Sequence, residues 1–111
     1  MAQAMRQDED NIIRDRESVR LAWKTGRVQN MYMMFRSAKS FNQPINTNVT
    51  TGAWDVMQVL NMDSMFKYAE SFNQSLDRWN PIRVELMYEM FFRATAFHQN
   101  IDDWIFNLML M

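Results

Sequence analysis

His98 is the single histidine of the chain, and it lies close in sequence to Asp102 and Asp103. One imidazole and two carboxylates could form an acid–base pair, but they fall short of a closed metal site. The two glycines, Gly26 and Gly52, cannot form a phosphate-cradling loop. We therefore expect that this protein is not an enzyme and has no catalytic, cofactor-binding or metal-ligating residues.

The composition restricts the kinds of partner. Formal net charge is −1, so the whole molecule has no attraction to nucleic acid. No apolar stretch approaches the ~20 residues that span a bilayer, so membrane contact is allowed but a span is not expected. The N-terminal residues lack the long apolar core of a secretory signal. Cysteine is absent, which excludes a disulfide framework but leaves the localisation unknown.

One pattern recurs three times along the chain. Its clearest part reads SFNQPI from Ser40, SFNQSL from Ser71 and AFHQNI from Ala96. The residues upstream have the same types at the same spacing: Val28, Met31, Met34, Phe35 and Ala38; Val59, Met62, Met65, Phe66 and Ala69; Val84, Met87, Met90, Phe91 and Ala94. Downstream, the copies reach Trp54, Trp79 and Trp104.

The spacing of the copies defines the organisation of the chain. The second and third copies lie 25 residues apart, whereas the first and second lie 31 apart. The six extra residues fall between Ile45 and Trp54, which indicates a lengthened loop. We predict an arm with a capping helix, three repeat units and an apolar tail, at residues 1–27, 28–54, 55–79, 80–104 and 105–111.

Each unit changes its period partway along. In the second unit, apolar residues first step by three and four, as on one face of a helix: Val59, Met62, Phe66 and Ala69. The following residues step by two, as in a strand: Phe72, Gln74 and Leu76. A unit of about 25 residues cannot bury its apolar side alone, so the units must stack. The sequence therefore predicts a mixed α/β repeat solenoid.

The repeated frame V-x-x-M-x-x-M-F-x-x-A-x-x-F-N-Q-x-[IL], followed by Trp, resembles the repeat of BspA-like leucine-rich-repeat surface proteins, including the mycoplasma-type lipoprotein repeat. The resemblance covers Val28 to Trp104, with His98 where the pattern has Asn and Pro81 in the usual W-D-x-S-x-V link. It implies an open, leucine-rich-repeat-like solenoid that is displayed on a cell surface and used for adhesion or protein binding. It implies no catalytic activity.

The two ends of the stack carry different expectations. Residues from Asp8 to Lys24 are predicted to form a helix whose Ile12, Val19 and Trp23 cover the first unit. The C-terminal tail has almost no polar side chain, so we expect it to be buried against a protein partner or a second copy. The predicted partner-binding residues are Ile105, Phe106, Leu108, Met109, Leu110 and Met111.

Three columns of repeated residues allow more than one interpretation. We interpret Gln43, Gln74 and Gln99 as an amide ladder between units, with a ligand-binding row as the alternative. The tryptophan column is interpreted as core, with an aromatic strip for sugars or bases as the alternative. Most methionines match the inward phase, whereas Met33, Met57, Met109 and Met111 do not and are candidates for partner contact.

These observations favour a non-catalytic protein–protein interaction scaffold that is a structural subunit of a larger assembly. A displayed adhesion module is the alternative, and carbohydrate binding along the tryptophan column is a more distant one.

Overall fold

A computed structural model describes residues 22–104. Most of the predicted capping helix and the whole apolar tail, Ile105 to Met111, lie outside the described residues. Residues 22–24, which the prediction placed at the end of that helix, are not helical. Lys24 instead forms an isolated antiparallel bridge with Ala53.

The predicted helices are wrong. Within residues 22–104 only residues 102–104 are helical, and the segments 32–37, 63–68 and 88–93 are successive turns. In the second unit, main-chain bonds join residues three apart: Met65 N–H to Met62 C=O, Lys67 N–H to Ser64 C=O, and Ala69 N–H to Phe66 C=O. Ser64 and Tyr68 have φ of 56° and 61°, which a right-handed helix does not allow. No helix in the described part is long and apolar enough to cross a membrane.

A contest for hydrogen bonds explains why turns replace a helix. The N–H groups of Met62, Ser64 and Phe66 donate to carbonyls of the third unit, at 2.8 to 2.9 Å. A helix would instead use these N–H groups within its own segment. Turns keep the apolar residues on one face, as the stepping requires, and release alternate N–H groups to the neighbouring unit.

The predicted strands are also wrong, and the described residues contain no sheet. Pairing is restricted to isolated bridges, of which Asn30–Asn61 and Asn61–Leu86 are parallel and join successive units. The chain is extended around Phe72 to Leu76, but its neighbours pair with it largely through side-chain amides. The mixed α/β, leucine-rich-repeat-like solenoid is therefore replaced by a compact body of stacked turns.

The register between units is as the repeat spacing predicts. Asn30 pairs with Asn61, and Asn61 pairs with Leu86, so the offsets of 31 and 25 residues are kept. The six extra residues form a loop closed by the Asn48–Ala53 bridge. Gly52 has a φ of 80° in that loop, a conformation that glycine adopts without strain.

Three columns of stacked aromatic rings form the core. Their members are Phe35, Phe66 and Phe91; Phe41, Phe72 and Phe97; and Trp23, Trp54, Trp79 and Trp104. Neighbouring centroids in a column lie 5.4 to 6.5 Å apart, with interplanar angles of 16° or less. The predicted stacking of the first column is confirmed. Its predicted burial holds for Phe35 and Phe66 but not for Phe91, which is half-buried.

Candidate functional site

His98 lies on the surface of the third unit. Its backbone N–H donates to Asn73 Oδ1 at 2.9 Å, and Asn73 N–H donates in the same way to Asn42 Oδ1 at 2.8 Å. His98 therefore occupies the position of the repeated asparagine, as the sequence predicts. Asp102 and Asp103 are exposed, and no group of three or more His, Asp or Glu side chains in residues 22–104 could hold a metal ion.

The glutamine column forms the predicted amide ladder. Gln74 Nε2 donates to the carbonyl and Oδ1 of Asn42, at 3.0 and 3.2 Å. Gln99 Nε2 makes the same two bonds to Asn73, at 3.3 and 2.9 Å. Each repeated asparagine therefore satisfies a backbone N–H and a side-chain amide of the next unit. This use of the amides supports a structural role, because their polar groups are already paired along the stack.

The tryptophan column is buried, which confirms the core interpretation. Trp79 Nε1 donates to Ile45 C=O at 2.8 Å, and Trp104 Nε1 donates to Leu76 C=O at 2.9 Å. The burial leaves no ring of the repeated column open for stacking on sugars or bases. The sequence analysis missed Trp23 as a member, although it lies 31 residues before Trp54, at the offset of Phe35 and Phe66.

The side chains that differ between units gather on the turn segments. We call this surface the variable face, and its residues are Tyr32, Arg36, Lys67, Tyr68, Tyr88, Glu89, Phe92 and Arg93. Equivalent positions carry unlike residues there: Arg36, Lys67 and Phe92 in one row, and Ser37, Tyr68 and Arg93 in the next. Units that share a frame therefore present different chemistry to a partner.

Cations and rings contact one another across the variable face. Lys67 Nζ lies 5.7 Å from the ring centroid of Tyr68 and 5.3 Å from that of Phe92. The same Nζ pairs with Glu89 Oε1. Arg93 lies 5.5 Å from the Phe92 ring. Sequence reasoning missed this surface because it searched for repeated residues, whereas the signal was disagreement between copies at exposed positions.

The long loop of the first unit lines a shallow depression. Lys24 and Arg78 contribute cations to it, and Asn46, Thr47 and Thr50 contribute polar groups. Asn46 Nδ2 donates to Asp77 Oδ1 at 2.7 Å, and Ser75 Oγ donates to the same oxygen at 2.9 Å. These two bonds hold the pKa of Asp77 below its ordinary value. They tie the first unit to the second, so they are structural contacts and do not define a site.

Three stacked units with a shared buried frame and dissimilar exposed residues define a small repeat protein. The chain belongs to the family described as "Mycoplasma protein of unknown function, DUF285", whose model matches residues 3–109. This match confirms the mycoplasma-type part of the resemblance and does not extend to BspA-like leucine-rich repeats in particular. No curated protein and no solved structure matches the chain.

Proposed function

We propose that this protein is a non-catalytic protein–protein interaction scaffold whose variable face binds the partner. The observation that carries the proposal is the contrast between a frame repeated three times in the core and side chains that differ at the surface. In repeat proteins, the stacked core fixes the shape and the exposed residues can vary with the partner.

The chemistry of the variable face suits a protein partner. Tyrosine, phenylalanine and arginine are enriched at protein interfaces, and tyrosine and arginine are frequent hot spots. Tyr32 and Tyr88 are 51% and 72% exposed, although each is a large ring that gains by being covered. Contacts such as that of Lys67 with Phe92 order the long side chains before binding, which reduces the entropy lost on association.

The surroundings of the scaffold have two candidate forms. A structural subunit of a larger assembly is favoured by the apolar tail, whose residues Ile105 to Met111 lie outside the described part and stay a predicted partner site. A displayed adhesion module is favoured by the resemblance to surface repeats. Both forms require binding through a shaped surface, and neither requires catalysis.

A comparison of matched variants tests the proposal. The full chain, a Tyr32→Ala/Tyr68→Ala double variant and a Val49→Ala control are immobilised, and the proteins that each captures are quantified by mass spectrometry. Val49 is 76% exposed but lies in the long loop, so its loss controls for general apolar adhesion. We expect a captured protein that binds the full chain and the control equally, and the double variant at least about tenfold less.

Direct binding of that purified protein to the three chains, by calorimetry, completes the test. Capture that is the same for all three chains would contradict a role for the variable face.

A further inference from the structure

The C-terminal edge of the third unit ends a hydrogen-bond pattern that the first two units complete. In those units, alternate N–H groups donate to the next unit at 2.7 to 3.0 Å. The donors are Met31, Met33, Phe35 and Ser37 in the first unit, and Met62, Ser64, Phe66 and Tyr68 in the second. By register, the equivalent donors of the third unit are Met87, Glu89, Phe91 and Arg93.

These four N–H groups, which we call the donor row, make no hydrogen bond within residues 22–104. They follow one another at two-residue steps, as the carbonyls on one side of an extended chain do. A row of unpaired main-chain groups is a template for pairing with another segment. The donor row therefore has the geometry to accept a fourth layer.

Apolar side chains accompany the donor row. Phe91 and Phe97 are only half-buried, whereas their second-unit equivalents, Phe66 and Phe72, are fully buried. Three of the six exposed large apolar side chains of the described part lie beside the row: Leu86 at 49%, Tyr88 at 72% and Phe92 at 39%. The second unit's ladder segment, residues 61–69, has none. This end thus combines unpaired donors with uncovered rings, which is how an interrupted stack differs from a finished one.

The first unit of a second copy is a poor occupant of this edge. Its carbonyls at Asn30 and Tyr32 have the required register and accept no bond within the described part. However, Trp23 already stacks on Trp54 with a centroid separation of 6.3 Å. In a head-to-tail arrangement, Trp104 of the neighbouring copy would need the same place. The tryptophan column therefore closes the N-terminal end against a further unit, while the donor row stays open at the other end.

We propose that the donor row captures an extended segment of a partner protein, which adds in parallel as a fourth layer. This inference rests on the proposed interaction function and names a second contact and its chemistry. The captured segment supplies carbonyls at alternate residues and places an apolar side chain on the open face of Phe91. Such strand-like addition draws affinity from main-chain bonds and specificity from alternate side chains.

His98 fits this role at the adjoining position. In the first two units, Asn42 and Asn73 accept a backbone N–H from the following unit. A neutral imidazole has one nitrogen that can accept the corresponding N–H of a captured segment. The interface between the second and third units is thus the template for the interface with the partner.

Residue-resolved hydrogen exchange on the full chain tests the state of the row. The unpaired groups are expected to exchange at least about 100-fold faster than the paired groups of the second unit. The groups compared are the N–H of Met87, Glu89, Phe91 and Arg93 with the N–H of Met62, Ser64, Phe66 and Tyr68.

A synthetic peptide of residues 60–69 is the probe for capture, because this segment already forms such a layer in the stack. Excess peptide is expected to slow exchange in the donor row by at least about fivefold, whereas a scrambled peptide of the same composition leaves it unchanged. No difference between the two peptides would overturn the proposal.

Two other outcomes would also overturn it. Slow exchange in the free, monomeric chain would mean that another part of the same chain covers the row. Protection that rises with protein concentration, together with dimers in sedimentation, would mean that the occupant is a second copy. The Tyr32→Ala/Tyr68→Ala variant keeps the donor row, so loss of capture by the variable face and loss of the peptide effect are read independently.

Discussion

The second and third units share a sequence frame but differ in their surroundings. Phe66 and Phe72 lie between rings of both neighbouring units and are fully buried, whereas Phe91 and Phe97 are covered on one side by the second unit. The residue types are the same, so the difference comes from position in the stack. In a repeat of this kind, burial belongs to the interface between units, and a single unit does not fix it.

The largest expected effect breaks the comparison at its centre. Phe66→Ala removes a ring that is stacked on Phe35 and Phe91, so we expect a loss of about 3–5 kcal/mol in the free energy of unfolding. Phe91→Ala is the matched control, and its loss should be clearly smaller because that ring is already half-exposed. Urea unfolding of both variants gives the two values. Equal losses would contradict the importance of position in the stack.

A second prediction concerns the backbone that replaces the expected helix. Ser64 has a φ of 56°, which β-branched residues rarely adopt. Ser64→Val should cost at least about 1–2 kcal/mol, whereas Ser64→Gly should cost little because glycine accepts this φ. If the segment were helical, the glycine variant would be the more damaging of the two. Thermal unfolding of both variants distinguishes the cases.

The sequence was sufficient for the stacking columns and the offsets, because both depend on which residue types recur and how far apart they are. It was insufficient for the helix. Apolar residues that step by three and four lie on one face of a helix, but a chain of turns gives Met62, Phe66 and Ala69 a common face as well. The choice is made by N–H groups that bond to the neighbouring unit, and no periodicity within a single unit records that.

The candidate site shows a related limit. His98 and the glutamine column could be placed because they repeat, whereas the variable face could not be found by a search for repeats. The donor row follows from backbone geometry, which the identities of Met87, Glu89 and Phe91 do not encode.

A smaller effect is expected in the amide ladder. Asn73→Ala removes the acceptor for His98 N–H and for Gln99 Nε2, so we expect a loss of about 1 kcal/mol. Gln43→Ala is the control, because Gln43 makes no ladder bond within residues 22–104. A cost for Asn73→Ala no greater than that of the control would indicate that the ladder contributes no stability. Urea midpoints measure both.

The smallest effect depends on pH. Hydrogen bonds from Asn46 and Ser75 lower the pKa of Asp77 from its ordinary 3.8. The stabilisation by Asp77 is therefore complete above that ordinary value and is lost as the pH falls through the lowered one. Asp77→Asn should reduce the loss of stability between pH 6 and acid conditions, which urea midpoints across about pH 6 to 2 would measure. A variant with the same acid dependence as the parent would rule out a contribution from this contact.

Through-hydrogen-bond coupling measured by NMR tests the central claim, that alternate N–H groups of one unit donate to the next. The structure predicts a coupling from the Phe66 amide nitrogen to the Met90 carbonyl carbon, whose hydrogen bond is 2.8 Å long. A parallel coupling is expected from Ser64 to Tyr88, across 2.9 Å. A coupling from Phe66 to Met62 instead, four residues back in the same unit, would show an α-helix and contradict the stacked-turn fold.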